Sequence, residues 1–151
     1  MLQHRIPPPL IGATLAALMW GGRLYGAPLP IPSGVLRALA VGLALVALMI
    51  DGAALWSFRQ ARTTINPLKP GTASHLVTSG MYRITRNPMY LGMATLLTAW
   101  ACWLGTTWPF LGPVVFVLYI TRFQIRPEEH ALTQRFGDPY LAYCRHVRRW
   151  L

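Results

Sequence analysis

The segment from Val35 to Phe58 reads VLRALAVGLALVALMIDGAALWSF, an apolar run broken only by Arg37 and Asp51. As a helix it rises about 36 Å, enough to cross a hydrocarbon core of about 30 Å with some tilt. Three further apolar stretches lie around it. The first runs from about Pro9 to Tyr25, with Trp20 and Tyr25 near its far end, where interfacial aromatics belong. The others are Met89 to Leu104 and Trp108 to Phe123, separated only by Gly105-Thr106-Thr107, so a tight antiparallel hairpin is expected there. This pattern predicts an all-α integral membrane helical bundle of about four transmembrane helices plus a cytoplasmic C-terminal amphipathic helix. Residues 1–151 form a single membrane domain, with 1–58 carrying two N-terminal spans and 59–151 a polar loop, the hairpin and the C-terminal helices.

Composition agrees with lipid as the solvent. Hydrophobic residues make up 54% of the chain and charged residues only 12%, against a charged fraction of about 25% in soluble domains. The net charge is +10, from 14 Lys and Arg against four acids. These basic residues flank apolar runs instead of lining one polar face, so anionic lipid headgroups are the expected partner and nucleic acid is not. Cys102 and Cys144 have no metal-ligand spacing, form no disulfide framework and read as packing residues. Arg5 ahead of an apolar run imitates a signal peptide. Pro7 to Pro9 and the lack of a small-residue cleavage site favour a retained first span.

Charge also orients the bundle. With an even number of spans, Arg5, Arg59, Arg62, Lys69, Arg83, Arg86, Arg122, Arg126, Arg135, Arg145, Arg148 and Arg149 share one side, leaving Arg23 and Arg37 on the other. The positive-inside rule makes the populated side cytoplasmic, giving a multi-pass protein with both termini inside, as in a bacterial-type inner membrane.

Two polar regions then face the cytoplasm. Gln60 to Pro88 holds Pro67, Pro70, Gly71 and Gly80 and reads as a structured loop. Pro127 suits the first turn of a new helix, with Glu128 and Glu129 against its positive end. Gly137-Asp138-Pro139 breaks that helix, and another starts near Tyr140. Its stripe of Tyr140, Tyr143, Val147 and Trp150 is that of a helix lying on a membrane or capping the bundle.

The acids are the most informative chemistry. Only Asp51, Glu128, Glu129 and Asp138 exist. Adjacent glutamates on a helix point about 100° apart, so one can face the bundle and the other solvent or a basic neighbour. Taken without the rest of the chain, stabilisation of a helix start accounts for them on its own and is the commoner reason for charges there. Asp51, deep in the second span, costs roughly 2.5–3.5 kcal/mol to insert and should face the bundle with a partner, such as a pocket arginine or a backbone donor.

Between His75 and Gly92 the chain reads HLVTSGMYRITRNPMYLG, followed about forty residues later by Glu128-Glu129 and then Phe136-Gly137, Tyr140, Tyr143 and Val147-Arg148. This ordered set resembles the isoprenylcysteine carboxyl methyltransferase and phospholipid N-methyltransferase family of membrane enzymes. The likeness covers about half the chain, from Leu76 to Arg148. It implies that the third and fourth spans and the C-terminal helix enclose S-adenosylmethionine near the cytoplasmic surface. Asn87 stands where well-known members carry His; it keeps a donor and an acceptor but cannot become cationic.

On that resemblance each motif position acquires a chemical reason. Glu128 or Glu129 meets the donor's ammonium, and Arg86 its carboxylate as a bidentate pair. Gly80 allows close backbone approach, Tyr82 and Tyr90 supply faces and hydroxyls, and the backbone of Leu76, Val77 and Thr78 reads the adenine edge. Asn87 and Pro88 complete the cofactor-binding set. Glu129 and Arg135 are the catalytic candidates, Arg135 for a carboxylate or phosphate on the acceptor. Against these stand plainer roles: interfacial belt for Tyr82 and Tyr90, topology for Arg83, helix start for Pro88, headgroup contact for His75 and for Arg135, and scaffolding for His130.

Methyl transfer from a sulfonium needs no metal, and the four histidines form no ligand cluster. The work is positioning in a dry site, with a lipophilic small-molecule or prenylated acceptor entering from the bilayer. The rivals are a nicotinamide-dependent membrane reductase of related architecture and a non-enzymatic membrane scaffold.

Overall fold

A computed structural model describes residues 6–60 and 76–151 of the chain. Among them are six α-helices: α1 (Pro8–Gly22), α2 (Ser33–Gln60), α3 (Pro88–Leu104), α4 (Leu111–Ile120), α5 (Arg126–Phe136) and α6 (Asp138–His146). The described residues contain no strand, only two isolated bridges.

Two segments are long and apolar enough to cross a membrane: Ser33–Ser57, with mean hydropathy 2.2, and Trp108–Phe136, with mean hydropathy 1.3. The other two expected spans are shorter. The 15 residues of α1 and 17 of α3 rise only about 22 and 25 Å. Each begins at a proline, which suits a helix start. α3 ends where Gly105 adopts φ +70°, a left-handed cap.

Helix α2 explains its own composition. Leu36, Ala40, Ala47 and Ala54 are buried at spacings of four and seven, one stripe of the helix. The remaining surface, with Leu39, Leu45, Leu48, Met49 and Trp56, is exposed apolar side chain, which suits lipid and not water. The buried stripe packs against α3, whose own buried face includes Gly92, Ala94, Ala99 and Ala101. Small residues on both helices let the backbones approach closely, the means of association available where lipid offers no hydrophobic drive. α3 also packs on α1 and α4, around a core of Met19, Tyr90, Leu97, Phe116, Ile120 and Ile125.

At one end of the bundle the loops before α2 and after α3 pair. The Leu29 N–H donates to the Gly105 carbonyl at 3.0 Å and the Thr107 N–H to Ala27 at 3.0 Å. The polar motifs gather at the opposite end. There the helix expected to begin at Pro127 does not begin: α4 continues through a π-helical turn at Thr121–Ile125 directly into α5. Proline cannot donate within a helix, and a π turn shifts the register where it enters. Glu128 and Glu129 therefore meet no free helix terminus, and dipole stabilisation does not explain them. Helix α6 turns back after Gly137 (φ +57°) to cap the bundle, with Tyr140 and Val147 buried against protein.

Candidate active site

The site is built where the first turn of α3, the π turn and α5, and the C-terminal segment meet. Glu128 faces the bundle. Its Oε1 accepts hydrogen bonds from the Tyr90 hydroxyl at 2.7 Å and from Gln124 Nε2 at 2.7 Å. Gln124 lies in the π turn, four residues before Glu128, and is buried.

Glu129 turns to the basic side. Arg149 grips it bidentately, Nε to Oε1 at 2.9 Å and Nη2 to Oε2 at 2.7 Å. Arg86 approaches the same carboxylate, Nη1 to Oε1 at 3.1 Å. Such forked pairs combine charge with fixed orientation. The hydrogen bond to Glu129 also pushes the Arg149 guanidinium further above its usual range. Arg86 Nη1 further donates to the Cys144 thiol at 2.7 Å, while its Nε is buried without a hydrogen-bond partner among the described residues. A buried orphan N–H of this kind is costly. It fits the carboxylate of an amino-acid-like ligand, and the adjoining glutamates fit its ammonium.

The residues after α6 form a strap across this cluster. The Arg86 N–H donates to the Arg148 carbonyl at 3.0 Å, Thr85 Oγ1 to Arg149 at 3.2 Å, and Asn87 Nδ2 to Arg149 at 2.9 Å. Trp150 Nε1 reaches Thr121 Oγ1 at 3.2 Å in the π turn. The Tyr143 hydroxyl donates to the Tyr82 carbonyl at 2.6 Å. Burial pushes both phenols, Tyr82 and Tyr143, above their ordinary range, so they stay neutral.

Arg86, Asn87, Tyr90, Glu128 and Glu129 thus come together, and Tyr82 adjoins them through Tyr143. Tyr90 is buried and hydrogen-bonded, not part of an interfacial belt. Asn87 holds the strap. Pro88 is buried at the first turn of α3. Gly80 has φ +59°, and a Cβ there would strike Ser57 Oγ, so packing on α2 already demands glycine. Val77 is buried with Tyr82 and Ala54, Leu76 is half-buried and Thr78 exposed. Arg135 is exposed in the last turn of α5, with its guanidinium 5.8 Å from the Phe136 ring centre. Arg83 is exposed, and His130 is exposed beside Gln134. His75, Arg62 and Lys69 lie outside the described residues. Asp51 Oδ1 lacks the partner expected for it among the described residues.

Sequence reasoning missed Gln124, Cys144 and Arg149. Gln124 carried a signal: a polar residue one helical turn before Glu128 at the end of an apolar run. Cys144, taken as packing, touches a charge; Arg149 was one of several basic residues in a tail. No three of His, Cys, Asp and Glu among the described residues come together as a metal-ligand group.

Residues 35–139 match the model of the phospholipid methyltransferase family. An uncharacterized protein of Haemophilus influenzae is 48% identical over 63 residues, which is 42% of this chain and 100% of that protein. The methanethiol S-methyltransferase of Pseudomonas deceptionensis is 34% identical over 113 residues, 72% of this chain and 40% of the enzyme. The Delta(14)-sterol reductase of Mus musculus is 29% identical over 86 residues, 55% of this chain and 20% of the reductase. The chain therefore spans less than half the length of either named enzyme. No solved structure matches.

Proposed function

This chain belongs to the phospholipid methyltransferase family, and from that premise we propose that it is a membrane methyltransferase using S-adenosylmethionine on a hydrophobic or lipid-like acceptor. The observation that carries the reading is the paired acid: Glu128 meets Tyr90 and Glu129 meets Arg86, both residues of the loop motif. S-adenosylmethionine, when bound, supplies an electrophilic methyl on a sulfonium. The chain's own residues bind and orient. Glu128 and Glu129 meet the ammonium, and the buried Arg86 Nε meets the carboxylate. Tyr82, Tyr90 and the backbone of Leu76, Val77, Thr78 and Gly80 border the nucleoside. Asn87 and Pro88 hold the strap and the start of α3 that close the site against water. Catalysis then comes mainly from holding nucleophile and methyl about 3–3.5 Å apart.

The acceptor classes in view are a prenylated cysteine carboxylate, a phospholipid amine and a small thiol. The methanethiol enzyme supports the family chemistry on sulfur. Arg135 is assigned to the phosphate or carboxylate of an acceptor or of the surrounding lipid. Four membrane-crossing helices, with α1 and α3 completed by their flanking turns and both termini cytoplasmic, bring the site to the inner leaflet, where a water-soluble donor and a lipid-soluble acceptor can meet.

Calorimetry on the detergent-purified protein tests this. S-adenosylmethionine and S-adenosylhomocysteine should bind, the nicotinamide cofactor should not, and Glu129→Ala should weaken binding about tenfold or more. Binding of the nicotinamide cofactor alone would move the chain to the reductase reading.

A further inference from the structure

Helices α1 and α2 both pack on α3 yet have little contact with each other. The space between them is a cleft of about 810 Å³, within the size range of small-molecule sites. Its walls are almost wholly apolar, with Ala16 of α1, Ala44 of α2 and Met93 of α3 among them. Val41, Leu96 and Trp103 on its rim are 52%, 47% and 53% exposed, so in a membrane it opens sideways onto acyl chains.

Charge is distributed unequally along this cleft. Asp51 lines the end nearer the paired acids, its carboxyl packed on Gly92. At the other end, Arg23 and Arg37 are the only basic side chains among the described residues, and both belong to the mouth of the cleft. Arg37 lies one helical turn before Val41 on the same face of α2, and its guanidinium is 6.0 Å from the Trp103 ring centre. On α1, Trp20 continues the stripe of Pro9, Ala13 and Ala16 that forms the opposite wall. The Arg23 guanidinium lies 4.6 Å from the Trp20 ring centre. A guanidinium stacked on an indole face keeps edge N–H groups with which to donate.

Helix geometry sets the depth. The middle of α2 (Ser33–Gln60) falls at Val46 and Ala47, and Arg37 is about 14 Å from it along the axis. With α2 centred in the bilayer, whose hydrocarbon half-thickness is about 15 Å, Arg37 stands at the level of a lipid phosphate. From Val41 to Asp51 the cleft runs about 15 Å, the depth of one leaflet.

We propose that this cleft is a site for an acidic phospholipid of the leaflet opposite the paired acids, with one acyl chain between α1 and α2 and the anionic head between Arg23 and Arg37. This lipid is not the methyl acceptor, because its head sits at the far end of the bundle from Glu128 and Glu129. The site involves neither donor nor reaction, so it stands independently of the methyltransferase reading. Two cations at one head favour a lipid of net negative charge over phosphatidylcholine, whose own ammonium offsets its phosphate. An anionic head at the opposite end would meet Asp51. Lying between α1 and α2, the chain supplies packing that the two helices do not give each other.

Thermal melting in dodecylmaltoside, with dioleoylphosphatidylglycerol or dioleoylphosphatidylcholine added, tests this. Phosphatidylglycerol should raise the melting temperature saturably by about 4 °C or more, and phosphatidylcholine by less than half as much. Arg23→Gln combined with Arg37→Gln should remove the difference. Arg126→Gln combined with Arg145→Gln, which takes the same charge from exposed positions at the other end, should preserve it. Ala44→Leu, which narrows the cleft and leaves both arginines, should reduce the shift. Glycerol phosphate, a head without chains, should give none. Equal shifts from the two lipids, or a preference that follows Arg126 and Arg145, would overturn the site. A full shift from glycerol phosphate, or one undiminished in folded Ala44→Leu, would remove the chain from the cleft and overturn it equally. Each variant's own melting transition reports its fold. Should the Arg23 and Arg37 variant not fold, the wild-type lipid preference with the Ala44→Leu and Arg126 and Arg145 comparisons decides.

Discussion

The Tyr90 hydroxyl donates to the Glu128 carboxylate across 2.7 Å, tying the first turn of α3 to the helix that leaves the π turn. Thirty-eight positions apart in sequence, the two residues meet because α4 enters α5 without a break. Gln124, donating to the same oxygen, uses the π turn to reach it. Tyr90→Phe removes one of two donors to the half-buried Glu128 carboxylate, and hydrogen bonds to charged groups are worth about 1.5–3 kcal/mol. We expect a fall in thermal stability of that order, together with weaker binding of S-adenosylhomocysteine, measured by melting and calorimetry on one preparation.

Glu129 differs in kind, because two arginines converge on it. Arg149→Ala leaves Arg86 as the ion-pair partner of Glu129 among the described residues and frees the strap. Arg149→Lys keeps the charge and loses the fork, so it should recover only part of the loss. Donor affinity measured across wild type, Lys and Ala should fall in that order.

Asn87 tests the strap alone. Its Nδ2 holds the Arg149 carbonyl at 2.9 Å. Asn87→Ala should speed amide hydrogen exchange in 147–151 while leaving exchange in α2 and α3 unchanged. Uniform acceleration through the bundle would show that Asn87 supports the fold and not the strap.

Gly80 carries a double constraint, φ +59° and the contact with Ser57. Gly80→Ala should destabilise by about 1–3 kcal/mol. Adding Ser57→Gly should return only the steric part, which a double-mutant cycle in thermal melts resolves.

How far the sequence reaches is clear from particular residues. The stripe Leu36, Ala40, Ala47, Ala54 was implicit in the apolar run from Val35, but which face it occupied depended on α3. The loop motif and paired acid were legible because acids are so scarce, and the divergence of neighbouring glutamates follows from helix geometry alone. The continuity of α4 into α5 was not legible. Pro127 imitates a helix start, and a π turn leaves no signature in residue type. Arg149 was invisible because a C-terminal run of basic residues looks alike until the chain folds back. Asp51 was visible as an anomaly, whereas the cleft beside it depends on how α1 and α2 diverge across α3.

Ultraviolet cross-linking of labelled S-adenosylmethionine to the purified protein, followed by peptide mapping, tests the central claim most directly. A saturable adduct should fall within Leu76 to Tyr90 or on α5 around Glu128 and Glu129, and excess S-adenosylhomocysteine should abolish it. Label that does not saturate, or that settles on α1 or the exposed face of α2, would contradict a donor site at the paired glutamates.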